Sequence, residues 1–280
     1  MAQRDVLAGA GGVLLGAART DHAGRRAVLV VRGEEDTTEF TDLAETMGID
    51  LVDVVKQRGR EDPRTYLGRG RLDEVGDVLR SAPYGHAWHG VDLVLMHTNA
   101  TPRQLVATST VLGVEVWDRV RLLLALFTAH AASVEARTQV RIARLRSDRT
   151  VLRELISQET TGERAGYGGA GATGATEVLV ALGREIEGLR KRLQRHARAQ
   201  SERRRQRTRS GARTVGLAGY TNAGKSSLFR ALSGKSVLVE DRLFSTLETT
   251  VGRMEASPRV LLADTIGFID ALPSETLEAF

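Results

Sequence analysis

The sequence predicts an α/β protein in three parts: a small N-terminal parallel α/β domain, a long antiparallel helical hairpin, and a second α/β domain. Strand-like and helix-like apolar patterns alternate over residues 1–116, and helical periodicity dominates residues 117–211. A glycine-rich pattern typical of phosphate-binding loops then opens residues 212–280. At 280 residues the chain is also too long for one ordinary core, which favours more than one domain.

The first part alternates strands with helices. An apolar run typical of a buried strand occupies residues 27–31, and further strand patterns occupy residues 51–55, 91–96 and 114–116. Amphipathic periods typical of helices occupy residues 38–47, 72–79 and 101–112. Strands that alternate with helices pair in parallel through right-handed crossovers, so we expect one parallel sheet. No G-x-G-x-x-G dinucleotide pattern follows the first strand.

The second part has the periodicity of long helices. Residues 118–157 contain neither proline nor glycine, which predicts one long helix or two that are nearly continuous. A further long helix is predicted over residues 177–206. Residues 162–174 between them are too rich in glycine for regular structure, so we expect a flexible tip that joins two antiparallel helices.

The third part opens with the pattern G-x-x-x-x-G-K-[ST], between a strand predicted at 214–218 and a helix predicted at 226–232. Its residues are Gly219, Tyr220, Thr221, Asn222, Ala223, Gly224, Lys225 and Ser226. The two glycines allow successive N–H groups to point inward, and with the helix N-terminus they form a cradle for phosphates. Lys225 would add charge at the outer phosphates, and the Ser226 hydroxyl would be a ligand of Mg2+.

A second motif, D-x-x-G, follows a strand predicted at residues 259–263. It comprises Asp264, Thr265, Ile266 and Gly267. The Asp264 carboxylate would hold Mg2+ through water, and the Gly267 N–H would contact the terminal phosphate. The two motifs together therefore predict a nucleotide phosphate site with Mg2+ as cofactor.

Composition bounds the remaining possibilities. The sequence has no cysteine, which excludes structural disulfides and thiolate metal sites. The apolar run at residues 7–18 is too short and glycine-rich to span a bilayer, so we expect a soluble cytoplasmic protein, with peripheral membrane association left open. The net charge is +5, and residues 190–213 contain eleven Lys or Arg and one acid. This cluster fits either a solvated helix face or a contact with nucleic-acid phosphates.

Taken together, the motifs resemble those of the HflX family of ribosome-associated GTPases, in the Obg-like branch of P-loop GTPases. The resemblance lies in residues 219–227, 241–248 and 263–269, and in residues 66–71 and 116–119 of the N-terminal half. It implies a P-loop GTPase domain that binds GTP or GDP with Mg2+ and hydrolyses GTP. It also implies a monomer that associates with the large (50S) ribosomal subunit and its rRNA, in protein synthesis, ribosome rescue or splitting, or ribosome biogenesis.

The resemblance also implies further nucleotide contacts. These are the residues of the first switch, Phe244, Ser245, Thr246, Leu247 and Glu248. Thr246 would join Ser226 as a ligand of Mg2+, and Thr250 is a rival candidate for that role. Phe268 stands where many small GTPases carry a water-orienting glutamine. Since a phenyl ring cannot hydrogen-bond water, we expect slow intrinsic hydrolysis that a partner accelerates.

Two departures from the family pattern matter. The glycine-rich tip lacks the family's G-P-G-E sequence and retains only Glu177 of its acids. The sequence also contains no N-K-x-D or T-K-x-D, so the guanine-reading aspartate and the last strands of the GTPase domain are absent. We therefore expect an incomplete domain, from a fragment of a longer product rather than a degraded paralogue, because the switch motifs are intact.

Other interpretations are weaker or stay open. A non-catalytic RNA- or ribosome-binding protein with a degenerate GTPase domain is the main alternative. An ATP-using kinase is disfavoured, because D-x-x-G and a threonine-bearing switch belong together in GTPases. His86 and His89 lack carboxylate or cysteine partners and are expected to be simple loop residues. Residues 67–71 favour a turn over a second phosphate site.

Overall fold

The computed structural model describes residues 22–131, 133–162, 169–209, 213–220, 223–235 and 250–264. Four parallel strands form its first sheet. The strands are β1 (Arg26–Arg32), β2 (Asp50–Gln57), β3 (Leu93–Met96) and β4 (Glu115–Trp117), in the order β2-β1-β3-β4. The helices α1 (Thr38–Thr46), α2 (Arg69–Ser81) and α3 (Pro102–Leu112) connect them. The predicted parallel α/β architecture is confirmed.

Contacts divide the chain into two compact units. The first comprises Met1–Leu126 and Ala143–Ile186, and the second comprises Phe127–Ile142 and Glu187–Phe280. The domain boundaries proposed at residues 116 and 211 stay a prediction.

Strand β1 lies at the centre of the core of the first unit. Each of residues 27–31 is at most 1% exposed, so both faces of the strand are covered. Phe40 and Leu43 of α1 are fully buried, as are Leu95 and Met96 of β3. Parallel strands buried on both faces have continuous apolar sequences, and this explains why β1 was readable from the sequence.

Helix α3 shows how local sequence fixes the ends of an element. The Thr101 hydroxyl accepts the Gln104 N–H, and the Gln104 side chain accepts the Thr101 N–H at 2.9 Å, which forms a capping box. Pro102 occupies the first helical turn, where no partner is needed for its missing N–H. Gly113 ends the helix at φ 72°, in the left-handed region that glycine adopts without strain.

The long helices are α4 (Arg119–His130), α5 (Val134–Gly162) and α6 (Gly169–Arg209). The α4–α5 pair matches the prediction of two nearly continuous helices. Gly183 of α6 lies beside Arg149 of α5, where an added β-carbon would be 3.8 Å from the guanidinium carbon. This contact pairs positions on opposite sides of the turn, as an antiparallel hairpin requires. No helix in the described ranges is long and apolar enough to cross a membrane.

The glycine-rich tip is shorter than predicted. Residues 162–174 were expected to be irregular, but α6 already begins at Gly169. Glycine weakens a helix by about 1 kcal/mol relative to alanine, yet it keeps the N–H that proline lacks. The helix can therefore extend through the Gly/Ala sequence, and the prediction was wrong over residues 169–174. The remaining tip residues, 163–168, lie outside the described part of the chain.

A buried polar cluster joins α4 to α5 within the first unit. The Asp118 carboxylate caps α4 by accepting the Arg121 N–H at 2.9 Å. The Arg121 guanidinium forms an ion pair with Asp148 of α5 at 2.8 Å, and both side chains are at most 8% exposed. Burial raises the pKa of Asp118 to about 6, although the Arg121 N–H and charge oppose this shift.

The second sheet lies in the second unit. It contains β5 (Arg213–Leu217), β6 (Thr250–Met254) and β7 (Ser257–Asp264) in the order β5-β7-β6. Strand β5 is parallel to β7, and β6 is antiparallel to it. Helix α7 (Lys225–Ser233) follows β5. The strand–loop–helix arrangement predicted for the start of this part is therefore present. The strand was expected to be buried, which was wrong, because four of the five residues of β5 are exposed.

Strand β6 was not predicted from the sequence. Its residues are mostly half-exposed or exposed, so no clear apolar pattern marks it. Gly252 is its one buried position, and an added β-carbon there would lie 2.9 Å from the Phe229 ring of α7. Glycine at this position allows the helix to pack closely on the strand.

Candidate nucleotide-binding site

The glycine-rich loop leaves the carboxyl end of β5 and leads directly into α7. Gly224 precedes the helix at φ 82°, a conformation that glycine adopts readily and other residues rarely do. The Gly224 carbonyl accepts the first helical bond, from the Leu228 N–H at 2.9 Å. This geometry directs the loop backbone into the N-terminus of a helix, where anions are stabilised by free N–H groups and the helix dipole.

Lys225 folds back across the loop. Its Nζ donates to the Tyr220 carbonyl at 2.6 Å, and the Ala223 N–H donates to the same carbonyl at 3.3 Å. Burial lowers the pKa of the Lys225 ammonium, while the nearby Asp264 carboxylate opposes this shift. A positive charge is thus held at the loop beside a carboxylate.

Ser226 and Asp264 meet across the ends of two strands. The Ser226 Oγ donates to the Asp264 Oδ2 at 2.7 Å. The parallel register pairs Leu217, the last residue of β5, with Asp264, the last residue of β7. Since parallel strands end at the same edge of a sheet, the loop after β5 and the carboxylate of β7 come together there.

The side chains at this edge suit a hard cation. The Ser226 hydroxyl and the Asp264 carboxylate supply oxygen, the ligand that Mg2+ prefers. Within the described ranges, no group of three or more His, Asp or Glu side chains could hold a metal ion, at His86 and His89 or elsewhere. A cation held by Ser226 and Asp264 would take further ligands from water and from the phosphates of a ligand, as Mg2+ commonly does.

The structure describes only part of the predicted site. Gly219, Tyr220, Ala223, Gly224, Lys225, Ser226 and Asp264 are described. The other predicted contacts, Thr221, Asn222, Phe244, Ser245, Thr246, Leu247, Glu248, Thr265, Ile266 and Gly267, lie outside the described residues, as does Phe268. Thr250, the rival for the first-switch threonine, opens β6 opposite Asp264.

Sequence reasoning missed one contact, the bond from Lys225 to the Tyr220 carbonyl. The motif specifies a lysine but does not predict which backbone carbonyl accepts its hydrogen bond when no ligand is bound. The pairing of Ser226 with Asp264 had a clearer signal, because each residue belongs to a motif that ends a predicted strand.

Comparisons with known proteins match both ends of the chain. The family described as "GTP-binding GTPase N-terminal" matches residues 34–128, and the family described as "50S ribosome-binding GTPase" matches residues 214–279. Among solved structures, a crystal structure of SsGBP in complex with GDP has a TM-score of 0.55 at 22% identity, covering 91% of this chain and 66% of that one. A GTP-binding protein from Sulfolobus solfataricus in complex with GDP has a TM-score of 0.51 at 22% identity, covering 91% and 65%. At this identity the structures show the fold alone.

Curated relatives are more similar in sequence. GTPase HflX of Thermococcus kodakarensis is 33% identical over 260 residues, covering 91% of this chain and 57% of the relative. GTPase HflX of Escherichia coli is 31% identical over 272 residues, covering 92% and 61%. That of Gluconacetobacter diazotrophicus is 39% identical over 284 residues, covering 88% and 61%. The chain spans about three-fifths of the length of these relatives. The resemblance to the HflX family of GTPases that the motifs indicate is confirmed by these relatives.

Proposed function

We propose that the chain binds GTP with Mg2+, hydrolyses it slowly, and associates with the large ribosomal subunit. The observation that carries this proposal is the 2.7 Å bond between the Ser226 Oγ and the Asp264 Oδ2. It joins the phosphate-loop motif to the D-x-x-G motif at one sheet edge. A glycine-rich loop alone would suit many phosphate ligands, whereas this pairing is the arrangement by which P-loop NTPases hold Mg2+ beside the phosphates. The choice of GTP rests on the matching GTPase families.

The loop residues hold the phosphates in this proposal. The free backbone N–H groups at the N-terminus of α7, which Gly224 precedes, would donate to the phosphates. The Lys225 ammonium would exchange its hydrogen bond with the Tyr220 carbonyl for one with a phosphate oxygen. Asp264 keeps the ammonium near the loop through its opposite charge. Gly219, Tyr220, Thr221, Asn222 and Ala223 are the other phosphate-loop residues proposed to contact the nucleotide.

Ser226 and Thr246 are the proposed ligands of Mg2+, with Asp264 acting through a water molecule. When bound, the ion would neutralise charge that develops on the phosphate oxygens. Ser226 would exchange its bond with Asp264 for the ion, and the carboxylate would accept from the ion's water. The phosphate contacts of residues 244–248 and 264–267 complete the proposed site.

Hydrolysis is proposed to be slow in the isolated chain. Phe268 follows the D-x-x-G motif, and its phenyl ring offers no acceptor to orient an attacking water. We infer that contact with the large ribosomal subunit accelerates the reaction in the cytoplasm. The match of residues 214–279 to the family described as "50S ribosome-binding GTPase" supports this partner.

The test is a titration of the full chain with mant-GTP, with and without Mg2+, beside a titration with mant-ATP. We expect saturable binding of mant-GTP that Mg2+ strengthens. Because the sequence contains no N-K-x-D or T-K-x-D to read guanine, mant-ATP should bind with similar affinity. Absence of saturable binding would contradict the proposal and leave the non-catalytic RNA-binding alternative. Much weaker binding of mant-ATP would show that other residues of this chain read the guanine base.

The ribosomal part of the proposal needs its own measurement. We expect the chain to sediment with large subunits when a non-hydrolysable GTP analogue is present, and to sediment less with GDP. Failure to sediment with the analogue would contradict the proposed partner, whatever the outcome of the nucleotide titration.

A further inference from the structure

Tyr66 fills the place where an open parallel sheet ordinarily takes a small ligand. In the order β2-β1-β3-β4 the direction of chain crossover reverses between β1 and β3, and ligands bind outside the carboxyl ends of strands at such a point. The Arg32 N–H donates to the Tyr66 hydroxyl at 2.9 Å, and that hydroxyl donates to the His97 carbonyl at 3.2 Å. The ring is 2% exposed. The phenol therefore joins the ends of β1 and β3 and closes the crevice.

The segment that carries Tyr66 is held rigidly. We call residues 58–71 the arginine loop. Tyr66 has φ 66°, which strains a residue with a β-carbon. Tyr66 and Asp62 exchange backbone hydrogen bonds of 2.9 and 3.0 Å. From α3, Gln104 donates to the Asp62 carbonyl at 3.0 Å, and Thr108 donates to the Thr65 carbonyl at 3.0 Å. These bonds offset the strain of the Tyr66 backbone and tie the loop to α3.

The arginine loop presents cations to solvent. Its five exposed arginines are Arg58, Arg60, Arg64, Arg69 and Arg71. Arg71 pairs with Glu74 at 2.8 Å, and the 91%-exposed Arg58 lies 3.5 Å from Glu34. In the part of the chain that the structure describes, no ion pair engages the side chain of Arg60, Arg64 or Arg69. Three guanidinium groups are thus available to a partner.

The nearby acids form no ion pair with these three arginines in the part of the chain that the structure describes. Glu61 accepts from Gln104 at 2.5 Å. Asp62 accepts the Arg64 N–H at 2.7 Å, and this bond holds the pKa of the Asp62 carboxyl below its usual range. Of the acids that follow β1, Glu35 pairs with His97 at 2.9 Å. Each of these carboxylates already has a partner within the fold.

We infer that the arginine loop binds the phosphate backbone of an RNA. This inference deepens the proposed ribosome association and rests on it. All five cations are arginine, whose planar fork matches phosphate oxygens better than the lysine ammonium does. The large apolar side chains of the loop, Tyr66 and Leu67, are at most 2% exposed, so the surface lacks the apolar centre of a protein interface. The closed crevice excludes a small ligand beneath it.

The test compares three variants of the full chain. The first neutralises the loop, R60Q/R64Q/R69Q, and the second keeps its charge, R60K/R64K/R69K. The third removes three exposed arginines of the other unit, R230Q/R253Q/R259Q, as a control for net charge. Binding to a fluorescent 20-base-pair RNA duplex of mixed sequence is measured by anisotropy over a range of KCl concentrations. All the substituted side chains are exposed, so the melting curves should coincide with that of the wild type.

The glutamine loop variant should bind the duplex roughly 10- to 100-fold more weakly near 0.15 M salt. The slope of log affinity against log salt should fall in magnitude by about two to three, since each lost phosphate contact removes ~0.7 to 0.9. The lysine variant should keep the slope, and the control variant should lose less affinity than the loop variant. Equal slopes for the wild type and the glutamine loop variant would overturn the inference.

Two further measurements separate this inference from the proposed function. If the wild type fails to bind mant-GTP or to sediment with large subunits, the proposed function fails, while selective loss of duplex binding by the loop variant would still support an RNA surface. If the wild type and the loop variant sediment equally with large subunits, the inference fails and the proposed function stands. Selective loss of binding to polyglutamate, with duplex binding retained, would assign the surface to an acidic protein and overturn the inference.

Discussion

Two sheet edges in this chain have the same topological role and opposite accessibility. At the carboxyl ends of β1 and β3, which we call the closed edge, Tyr66 is 2% exposed and its phenol joins the two strands. At the carboxyl ends of β5 and β7, the open edge, Tyr220 is 64% exposed and the loop leads to Lys225 and Ser226. The carboxyl ends of parallel strands form a crevice where a ligand can bind. The loop residues determine whether a side chain of the protein itself, such as Tyr66, occupies that crevice.

The largest expected effect is loss of the closed edge by Y66A. Removing a buried aromatic ring should lower the unfolding free energy by roughly 3 to 5 kcal/mol. Y66F keeps the ring but leaves the Arg32 N–H and the His97 carbonyl without a partner, and should cost about 1 to 3 kcal/mol. Unfolding in urea can be followed by the fluorescence of Trp88 and Trp117, the only tryptophans in the sequence, which both belong to the first unit.

The matched control is Y84A, because Tyr84 is 94% exposed and its loss should change stability by less than about 0.5 kcal/mol. The affinity of the open edge for mant-GTP should not change in any of these variants. A Y66A chain as stable as the wild type would show that the Tyr66 side chain does not stabilise the closed edge.

The next effect is a pH dependence at Asp118, which follows β4 at the same edge. Burial raises its pKa from 3.8 to about 6, so folding takes up a proton between those pH values. The wild type should therefore lose stability relative to D118N as pH rises from about 4 to 6, by up to ~3 kcal/mol. Urea unfolding at a series of pH values measures this difference. A difference in unfolding free energy between the wild type and D118N that stays constant from about pH 4 to 6 would contradict the burial of an ionisable carboxyl group at Asp118.

At the open edge, K225A should weaken mant-GTP binding roughly 10- to 100-fold, since it removes charged hydrogen bonds worth about 1.5 to 3 kcal/mol. The matched control is K235A, because Lys235 donates to the Val251 carbonyl at 2.7 Å and has no proposed role with phosphate. Equal affinities for K225A and K235A would place the phosphates elsewhere.

The smallest effect is expected for Y220A. The Tyr220 carbonyl, rather than its exposed ring, accepts the Lys225 bond, so the substitution keeps the contact. Stability should change by less than about 0.5 kcal/mol, and mant-GTP affinity should stay within a factor of about two, because that carbonyl is retained. A large loss of affinity would show that the ring itself contacts the nucleotide, and would sharpen the contrast with Tyr66.

The two edges were not equally predictable from the sequence. The open edge could be anticipated, because Gly224, Lys225 and Asp264 belong to spaced motifs whose chemistry demands those residue types. The closed edge could not. Residues 67–71 indicated a turn, which was wrong over residues 69–71, because α2 begins at Arg69. A tyrosine at positive φ, as at Tyr66, goes against local preference and depends on hydrogen bonds from helices and strands distant in sequence.

The fold shows the same division. Strands buried on both faces, such as β1, and helices with strong periodicity were found from their apolar patterns. Strand β6 was missed, because its half-exposed residues and central Gly252 give no such pattern. The start of α6 was misplaced because glycine content suggested a loop, whereas extension of a long helix outweighed that local preference.

The most direct measurement is the gain in GTP affinity that Mg2+ produces, compared between the wild type and S226A. Mant-GTP is titrated into each chain in the presence of Mg2+ and again in excess chelator. The proposed role of Ser226 predicts that Mg2+ strengthens binding to the wild type and gives little or no gain in S226A, while binding in chelator stays similar. An equal gain in both chains would contradict the claim that Ser226 and Asp264 form a magnesium-nucleotide site at the open edge.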